Sequence, residues 1–328
     1  MRTLPGPVPS GSGRPEDGVA SGRFRRLSRK VLLAVPAAFS LVLAAHTTAP
    51  VPAAVAAGHP ASAPAAKPTI VLSTEPEVLE TRQCLTELPR VQLTNTSGQG
   101  AFADISITPE EPLWSANTRV STYVPAGSTV SVPVQIYVPE QTPDGEYDLR
   151  FQVIRSTPSI ALEPALASRK GVVLTVTVAS APGRDCVPPS GMTVTASSSQ
   201  EPFNAPTYAI DGRTATIWHT HWSPDRTYLP QWITFDLGGT YDVVELSYQP
   251  RTEGNLNGTI TAYTVLASTD GETFTEVTSG TWDADRTRKT AEFHAPGARY
   301  IRLLATEGVS DYASAAEIAL FGQQTSGS

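Results

Sequence analysis

The chain is poor in cysteine. Its 328 residues hold two, Cys84 and Cys186, which allows at most one disulfide. In an exported protein they are expected to pair, clipping the start of one domain to the linker before the next. A basic surplus is also missing, since 24 Lys and Arg face 31 Asp and Glu. Residues 1–57 hold 7 of those basic residues and 2 of the acidic ones, so the remainder is more acidic than the whole. That excludes the electrostatic footprint of a nucleic-acid or anionic-membrane binder. The apolar stretch 31–45 is short of the ~20 residues that a membrane helix needs, and Pro36 interrupts it. No ten-residue window reads as an amphipathic helix, and no nucleophile motif is present. Neither half has the size or pattern of a catalytic barrel.

What is there begins with a basic run, Arg23, Arg25, Arg26, Arg29 and Lys30, ahead of that apolar stretch. Val55-Ala56-Ala57 then offers a small-residue cleavage pattern. Residues 1–57 therefore read as a secretory leader, with a single anchoring helix as the alternative. Secretion, free or wall-associated, is the expected localisation, with no membrane insertion once the leader is removed. Residues 58–68, rich in Ala and Pro, read as a linker.

From residue 69 the pattern turns to short strands at 70–72, 91–94, 103–108, 128–138, 147–154 and 171–178. Asn95-Thr96-Ser97-Gly98, Pro125-Ala126-Gly127 and Pro143-Asp144-Gly145 punctuate them. Val130, Val132, Val134, Ile136 and Val138 alternate with Ser131, Pro133, Gln135 and Tyr137, giving one buried and one wetter face. Pro133 places that strand at a sheet edge. Roughly seven strands in roughly 110 residues suggest an immunoglobulin-like β-sandwich over 69–181. The segments 124–134 and 143–150 resemble the immunoglobulin-like accessory modules attached to bacterial glycosidases, and the expected role is a spacer. Residues 182–190 form a second linker. Residues 191–323 are again all-β, with strands at 232–237, 243–249, 261–268, 289–294, 300–305 and 317–321 and a hairpin turn at Thr269-Asp270-Gly271. Residues 324–328 are a tail.

The most informative segment is Ile210-Asp211-Gly212-Arg213-Thr214-Ala215-Thr216-Ile217-Trp218-His219-Thr220-His221-Trp222. An acidic turn precedes a strand on which side chains alternate. His219 and His221 are expected on one face, with Trp218, Thr220 and Trp222 on the other. Two imidazoles on one face also admit a zinc reading, but a third ligand is hard to find.

The order of short motifs carries a family. They include Ala196-Ser197-Ser198 with Glu201, Ala209-Ile210-Asp211-Gly212, Trp218-His219-Thr220 and Trp232-Ile233-Thr234-Phe235-Asp236-Leu237-Gly238. Tyr248-Gln249-Pro250-Arg251, Asn257-Gly258-Thr259-Ile260, Arg299-Tyr300-Ile301-Arg302-Leu303 and Ala313-Ser314-Ala315-Ala316-Glu317-Ile318 follow. Residues 192–322 resemble a discoidin (coagulation factor V/VIII type C) domain, and more narrowly a family 32 carbohydrate-binding module. The resemblance implies an eight-stranded jelly-roll β-sandwich. It places a site for galactose or N-acetylgalactosamine on Glu201, His219, Trp222, Arg251, Asn257 (or Asn255) and Tyr312. Arg251 would offer a fork of donors, and Trp222 and Tyr312 flat apolar surface. Trp218 and Trp232 read as core.

The resemblance also implies one structural Ca2+. Side chains of Asp211, Thr216 and Glu317 and the carbonyls of Tyr208, Arg213 and Ala316 would bind it, and oxygen ligands of this number suit calcium. The ion would pin 208–216 against the last strand and so orient His219 and Trp222.

Three functions follow. The first is a secreted, non-catalytic, monomeric protein whose partner is a glycan or polysaccharide ending in a galactose-type residue. The second is the accessory part of a glycoside hydrolase system, since glycosidases need two juxtaposed carboxylates and none stand out. The third is adhesion to a protein. Discoidin relatives that bind membranes insert apolar loop tips, whereas the loops 201–206 and 252–257 read as polar.

Overall fold

The computed structural model describes residues 69–158 and 171–325. The expected leader over 1–57 and linker over 58–68 lie outside the described residues.

The first region pairs two sheets over one core. β1 (Ile70–Glu75), β4 (Arg90–Asn95) and β7 (Thr129–Pro133) form one sheet in that order. The other contains β2 (Val78–Thr81), β5 (Ala101–Pro109), β6 (Arg119–Val124), β9 (Gly145–Pro158) and β10 (Gly171–Val178), ordered β2-β10-β9-β5-β6. A short pair, β3 (Thr86–Glu87) with β8 (Ile136–Tyr137), stands apart. Alternate residues of both sheets point inward. Val91, Leu93, Ile105, Leu149, Phe151 and Leu174 meet in a core with 2% exposure or less, as two packed sheets require.

The alternating run 128–138 does not form one strand. β7 stops at Pro133 on the sheet edge, where proline has no N–H to continue the ladder. Val134, Gln135 and Ile136 are then buried in succession. Gln135, expected on the wetter face, is covered by the second sandwich.

The second region contains β11 (Thr193–Ala196), β12 (Trp218–His219), β13 (Gln231–Gln249), β14 (Ile260–Ser268), β15 (Thr275–Thr281), β16 (Lys289–Gly308), β17 (Ser314–Ala315) and β18 (Glu317–Gln324). β13 and β16 are long because each serves two layers. Residues 231–236 of β13 pair with 300–305 of β16, and beyond the bulges Tyr241–Tyr248 pair with Lys289–Ala298 and with β18. β11, β14 and β15 complete the first layer. The bend in β13 starts at Gly238 (φ +71°), where a Cβ would lie 2.6 Å from the Gly191 carbonyl oxygen. Trp218, Phe235, Tyr248, Ile301 and Leu303 fill the space between the layers. Trp218 is fully buried, as expected. Trp232 is half-buried under the guanidinium of Arg302, 4.2 Å from its ring. The expected tail begins inside β18, which runs to Gln324.

The two sandwiches are tied by a Cys84–Cys186 disulfide, Cα atoms 6.0 Å apart, within ordinary bridging distance. Beside it the buried Glu245 receives Arg82 at 2.6 Å and Arg184 at 2.5 Å. Burial pushes the Glu245 carboxyl up, but hydrogen bonds from the two arginines outweigh it and leave the group below its ordinary range. Arg288 donates to Glu87 at 2.8 Å and to the Thr86 carbonyl.

Candidate functional site

Loops at one end of the second sandwich enclose a cavity of about 370 Å³ lined by Asn204, Ile217, His219, Trp222, Arg251, Asn255, Asn257 and Tyr312. Five of the six residues expected to hold a sugar are brought together there. Glu201 is not among the lining residues; it is exposed, and its carboxylate accepts from the Ser199 hydroxyl at 3.0 Å. Asn204 lies in the lining instead.

β12 ends at His219, so the chain turns where an alternating strand was expected. The turn sets the Trp222 ring edge-on to the His219 imidazole at 4.8 Å, with Tyr312 at 5.2 Å on another side. His219 and His221 therefore do not share a strand face. His221 Nδ1 bonds the Asp225 carbonyl. His219 Nδ1 lies 2.7 Å from the Thr220 carbonyl oxygen. A carbonyl only accepts, so Nδ1 carries the proton and Nε2 of the neutral ring is left as an acceptor. Burial holds the His219 pKa below its ordinary value, and the Arg251 charge adds to that.

Each other side chain has a local support. Gln200 Oε1 accepts from the Trp222 and Ser223 amides at 3.0 and 3.2 Å, fixing the turn that presents Trp222. Arg251 donates to the carbonyls of Glu253 and Asn257, both at 3.3 Å. Asn257 Oδ1 accepts from Ser310 at 2.9 Å. Gly258 (φ +84°) lets this loop approach β17, since a Cβ there would sit 2.6 Å from Ser314 Oγ. Arg226, missed from the sequence, stacks 4.1 Å above Tyr312 and donates to the Ser310 carbonyl at 2.6 Å. An arginine between Asp225 and Thr227 carries no local signal of that role, because its partners lie more than 80 residues away.

The acidic turn precedes β12 in the chain. Asp211 accepts from the Arg213 amide at 2.9 Å and the Thr216 hydroxyl at 2.7 Å. Glu317, at the start of β18, is 9% exposed and faces it. Burial pushes the Glu317 carboxyl well above its ordinary range, and the Asp211 charge pushes it further. Its Oε1 has no hydrogen-bond partner among the described residues.

The same turn is gripped from the first sandwich. Gln135 donates to the Gly212 carbonyl at 2.7 Å, and its Oε1 accepts from the Thr214 amide at 2.8 Å and the Thr214 hydroxyl at 3.0 Å. The Tyr137 ring covers Gly212, and Arg213 lies over Trp114 at 4.8 Å. Phe203, in a loop expected to be polar, is 77% exposed.

Residues 193–318 match the F5/8 type C domain, and this part of the chain is such a domain, with the discoidin β-sandwich described above. A galactose oxidase of Gibberella zeae is 38% identical over 152 residues, covering 44% of this chain and 22% of that protein. The chain thus spans about a fifth of the length of that relative. Among solved structures, a module of Clostridium perfringens in complex with GalNAc-β-1,3-galactose is 39% identical over 42% of this chain and 99% of that one, with a TM-score of 0.40. A family 32 module of the same organism in complex with galactose is 37% identical over 42% and 97%, with a TM-score of 0.38.

Proposed function

We propose that the F5/8 type C domain is the carbohydrate-binding part of a secreted, non-catalytic protein, and that its loop-end cavity takes a terminal galactose-type sugar. The observation that carries this is the union of two surfaces in one cavity. Trp222, 41% exposed, and Tyr312 supply flat apolar area for the C–H face of a pyranose. Arg251 and the asparagines supply donors, and His219 Nε2 supplies an acceptor for its hydroxyl edge. An axial hydroxyl lets polar groups approach from the side while a ring packs on the face. Among the described residues no carboxylate lines this cavity, whereas glycoside hydrolysis calls for two. One monosaccharide buries little area, so single-site binding should be weak and strong retention needs several sites.

The residues around the acidic turn fit a calcium ion. Two facing carboxylates, one with an orphaned buried oxygen, are costly unless a cation joins them. Asp211, Thr216 and Glu317 side chains, with the carbonyls of Tyr208, Arg213 and Ala316, would hold it. When bound, the ion would neutralise that pair and fasten the turn to β18.

The test is a glycan array with residues 58–328 in calcium, beside Trp222→Ala and Arg251→Ala. Binding to galactose-terminated glycans, lost in both variants, is expected. A folded protein that binds no glycan overturns the reading. The exposed Phe203 favours adhesion to a protein surface as the second reading, and Phe203→Ser would then abolish binding to that partner.

A further inference from the structure

The loop-end cavity continues past Arg251. Asn204, Ile217 and Arg251 also line a second cavity of about 280 Å³, walled by Phe203 and Glu253. Thr214, Ala215, Thr252 and Glu253 are shared in turn with a third, of about 320 Å³, in the cleft between the sandwiches. Its far wall is Arg90, Asn117 and Gln135 of the first sandwich, with Arg286 from the second. The three cavities thus adjoin one another through shared wall residues, from the Trp222 end to the first sandwich.

Its chemistry is uneven. Phe203 offers an exposed ring beside the middle cavity, the kind of flat surface on which a second pyranose packs. Further in, the lining is polar and positive. Among the described residues, Arg90, Arg251 and Arg286 are in no ion pair; Arg213 and Arg302 are likewise unpaired, but each lies over an aromatic ring. Among the described residues, Glu253 is the one carboxylate lining the two inner cavities. Arg286 sits close enough to Arg251 to disfavour its charge. Three uncompensated arginines along one groove, in a chain of net charge −7, mark where an anion would be attracted. Guanidinium forks suit carboxylate or sulfate oxygens.

We propose that the three cavities form one groove for a linear oligosaccharide whose galactose-type end fills the His219–Trp222–Tyr312 cavity and whose inner residue carries a carboxylate or sulfate met by Arg90 and Arg286. The first sandwich is then part of the binding site. This rests on the sugar-binding reading above and extends it to ligand length and charge.

Calorimetric titration of residues 58–328 tests it with four probes. These are galactose, a neutral galactose-terminated N-acetyllactosamine tetrasaccharide, the same tetrasaccharide with a sulfate ester on an inner residue, and a galactose-terminated tetrasaccharide with an inner uronate. At least one anionic tetrasaccharide should bind about tenfold tighter than galactose and several-fold tighter than the neutral one, an advantage that fades as salt is raised. Arg90→Glu should remove about threefold to tenfold of that advantage, as charge reversal at an exposed pair does. Asn117→Ala should lower the affinity of all three tetrasaccharides. Both variants should leave galactose affinity unchanged, which also certifies their folding. Tetrasaccharides that bind no tighter than galactose, or neutral and anionic forms that bind alike, overturn the proposal while leaving the sugar-binding reading intact. An advantage that survives Arg90→Glu overturns it too. Failure of galactose and every tetrasaccharide to bind overturns both.

Discussion

Replacing Gln135 by alanine should loosen the acidic turn from a distance in sequence of more than 70 residues. The side chain makes three hydrogen bonds to Gly212 and Thr214, and Gln135 and Thr214 are 7% and 6% exposed. Alanine leaves the Gly212 carbonyl and the Thr214 amide and hydroxyl without their partner. The hydroxyl can rotate to a new acceptor, while the two backbone groups cannot. An orphaned buried polar group costs about 1–3 kcal/mol, so the two together cost about 2–6 kcal/mol. Gln135 borders the cleft cavity, so a water can enter and recover part of this, bringing the expected loss to about 2–4 kcal/mol. Chemical denaturation followed by tryptophan fluorescence measures it, because four of the five tryptophans lie in the second sandwich. Amide exchange at Thr214 should accelerate in parallel. Gln135→Glu is the sharper variant. It keeps the acceptor, turns the donor that faced the Gly212 carbonyl into a second acceptor, and buries a charge, so it should cost at least as much as alanine. A loss below about 0.5 kcal/mol with Thr214 exchange unchanged, or a glutamate variant more stable than alanine, would refute the reasoning.

Other consequences are more local. Calcium should raise the melting temperature and EDTA lower it, and Glu317→Gln should erase the difference by relieving the carboxylate pair; a calorimetric scan of both proteins with and without calcium decides. Glu245→Ala should cost about 2–4 kcal/mol, at or below the usual cost of breaking a buried ion pair because both arginines keep some contact with water. The Glu245 carboxyl is held below its ordinary 4.5 in the folded state. Its contribution is therefore complete above that pH and lost as pH falls through the folded value, so the variant's deficit should shrink in acid-range denaturation curves. Burial holds His219 below its ordinary 6.5, so sugar affinity should weaken as pH falls through that lowered folded value, when Nε2 gains a proton and stops accepting. A decline whose midpoint lies above pH 6.5 would assign the titration to another group.

Much of the fold and cavity was legible in short-range pattern. Val130 and Val132 announced a half-buried strand and Pro133 its edge, but the alternation that continues to Val138 carried the reading past the point where that strand ends. The order of motifs in 192–322 placed His219, Trp222, Arg251, Asn257 and Tyr312 at one end of the sandwich, where they line one cavity. What the pattern could not carry is long-range. Strand alternation predicts faces only while the strand lasts, and β12 lasts two residues, so the edge-on pairing of His219 and Trp222 was invisible. Gln135 reads as solvent-facing because nothing local says that another sandwich covers it. Phe203 lies among polar residues, and composition cannot tell an exposed ring from a buried one. Arg226 acts on Tyr312 across a loop that sequence spacing does not close.

The contact between the sandwiches raises one further expectation. It is built largely from ion pairs and hydrogen bonds, and polar interfaces within a chain usually permit hinge motion. Here a covalent link spans it. Cys84 and Cys186 are 102 residues apart, and closing a loop of that size restricts the unfolded chain by about 4.7 kcal/mol in the chain-entropy account. Each sandwich has its own core, so removing the bond should leave both folded while releasing the interface. The paired Cys84→Ser, Cys186→Ser variant should lose several kcal/mol, up to about that value, in the unfolding of the first sandwich. Amides held between the sandwiches, Thr214 above all, should exchange faster, while amides of β13 and β16 keep their protection. The cleft that Arg90 and Arg286 share would lose its fixed width, so any gain in affinity from a longer glycan should shrink before galactose binding does, because preorganisation of the far wall goes with the bond. If the variant is as stable as the parent to within about 1 kcal/mol and Thr214 exchange is unchanged, then Gln135 and Glu245 hold the sandwiches together without it.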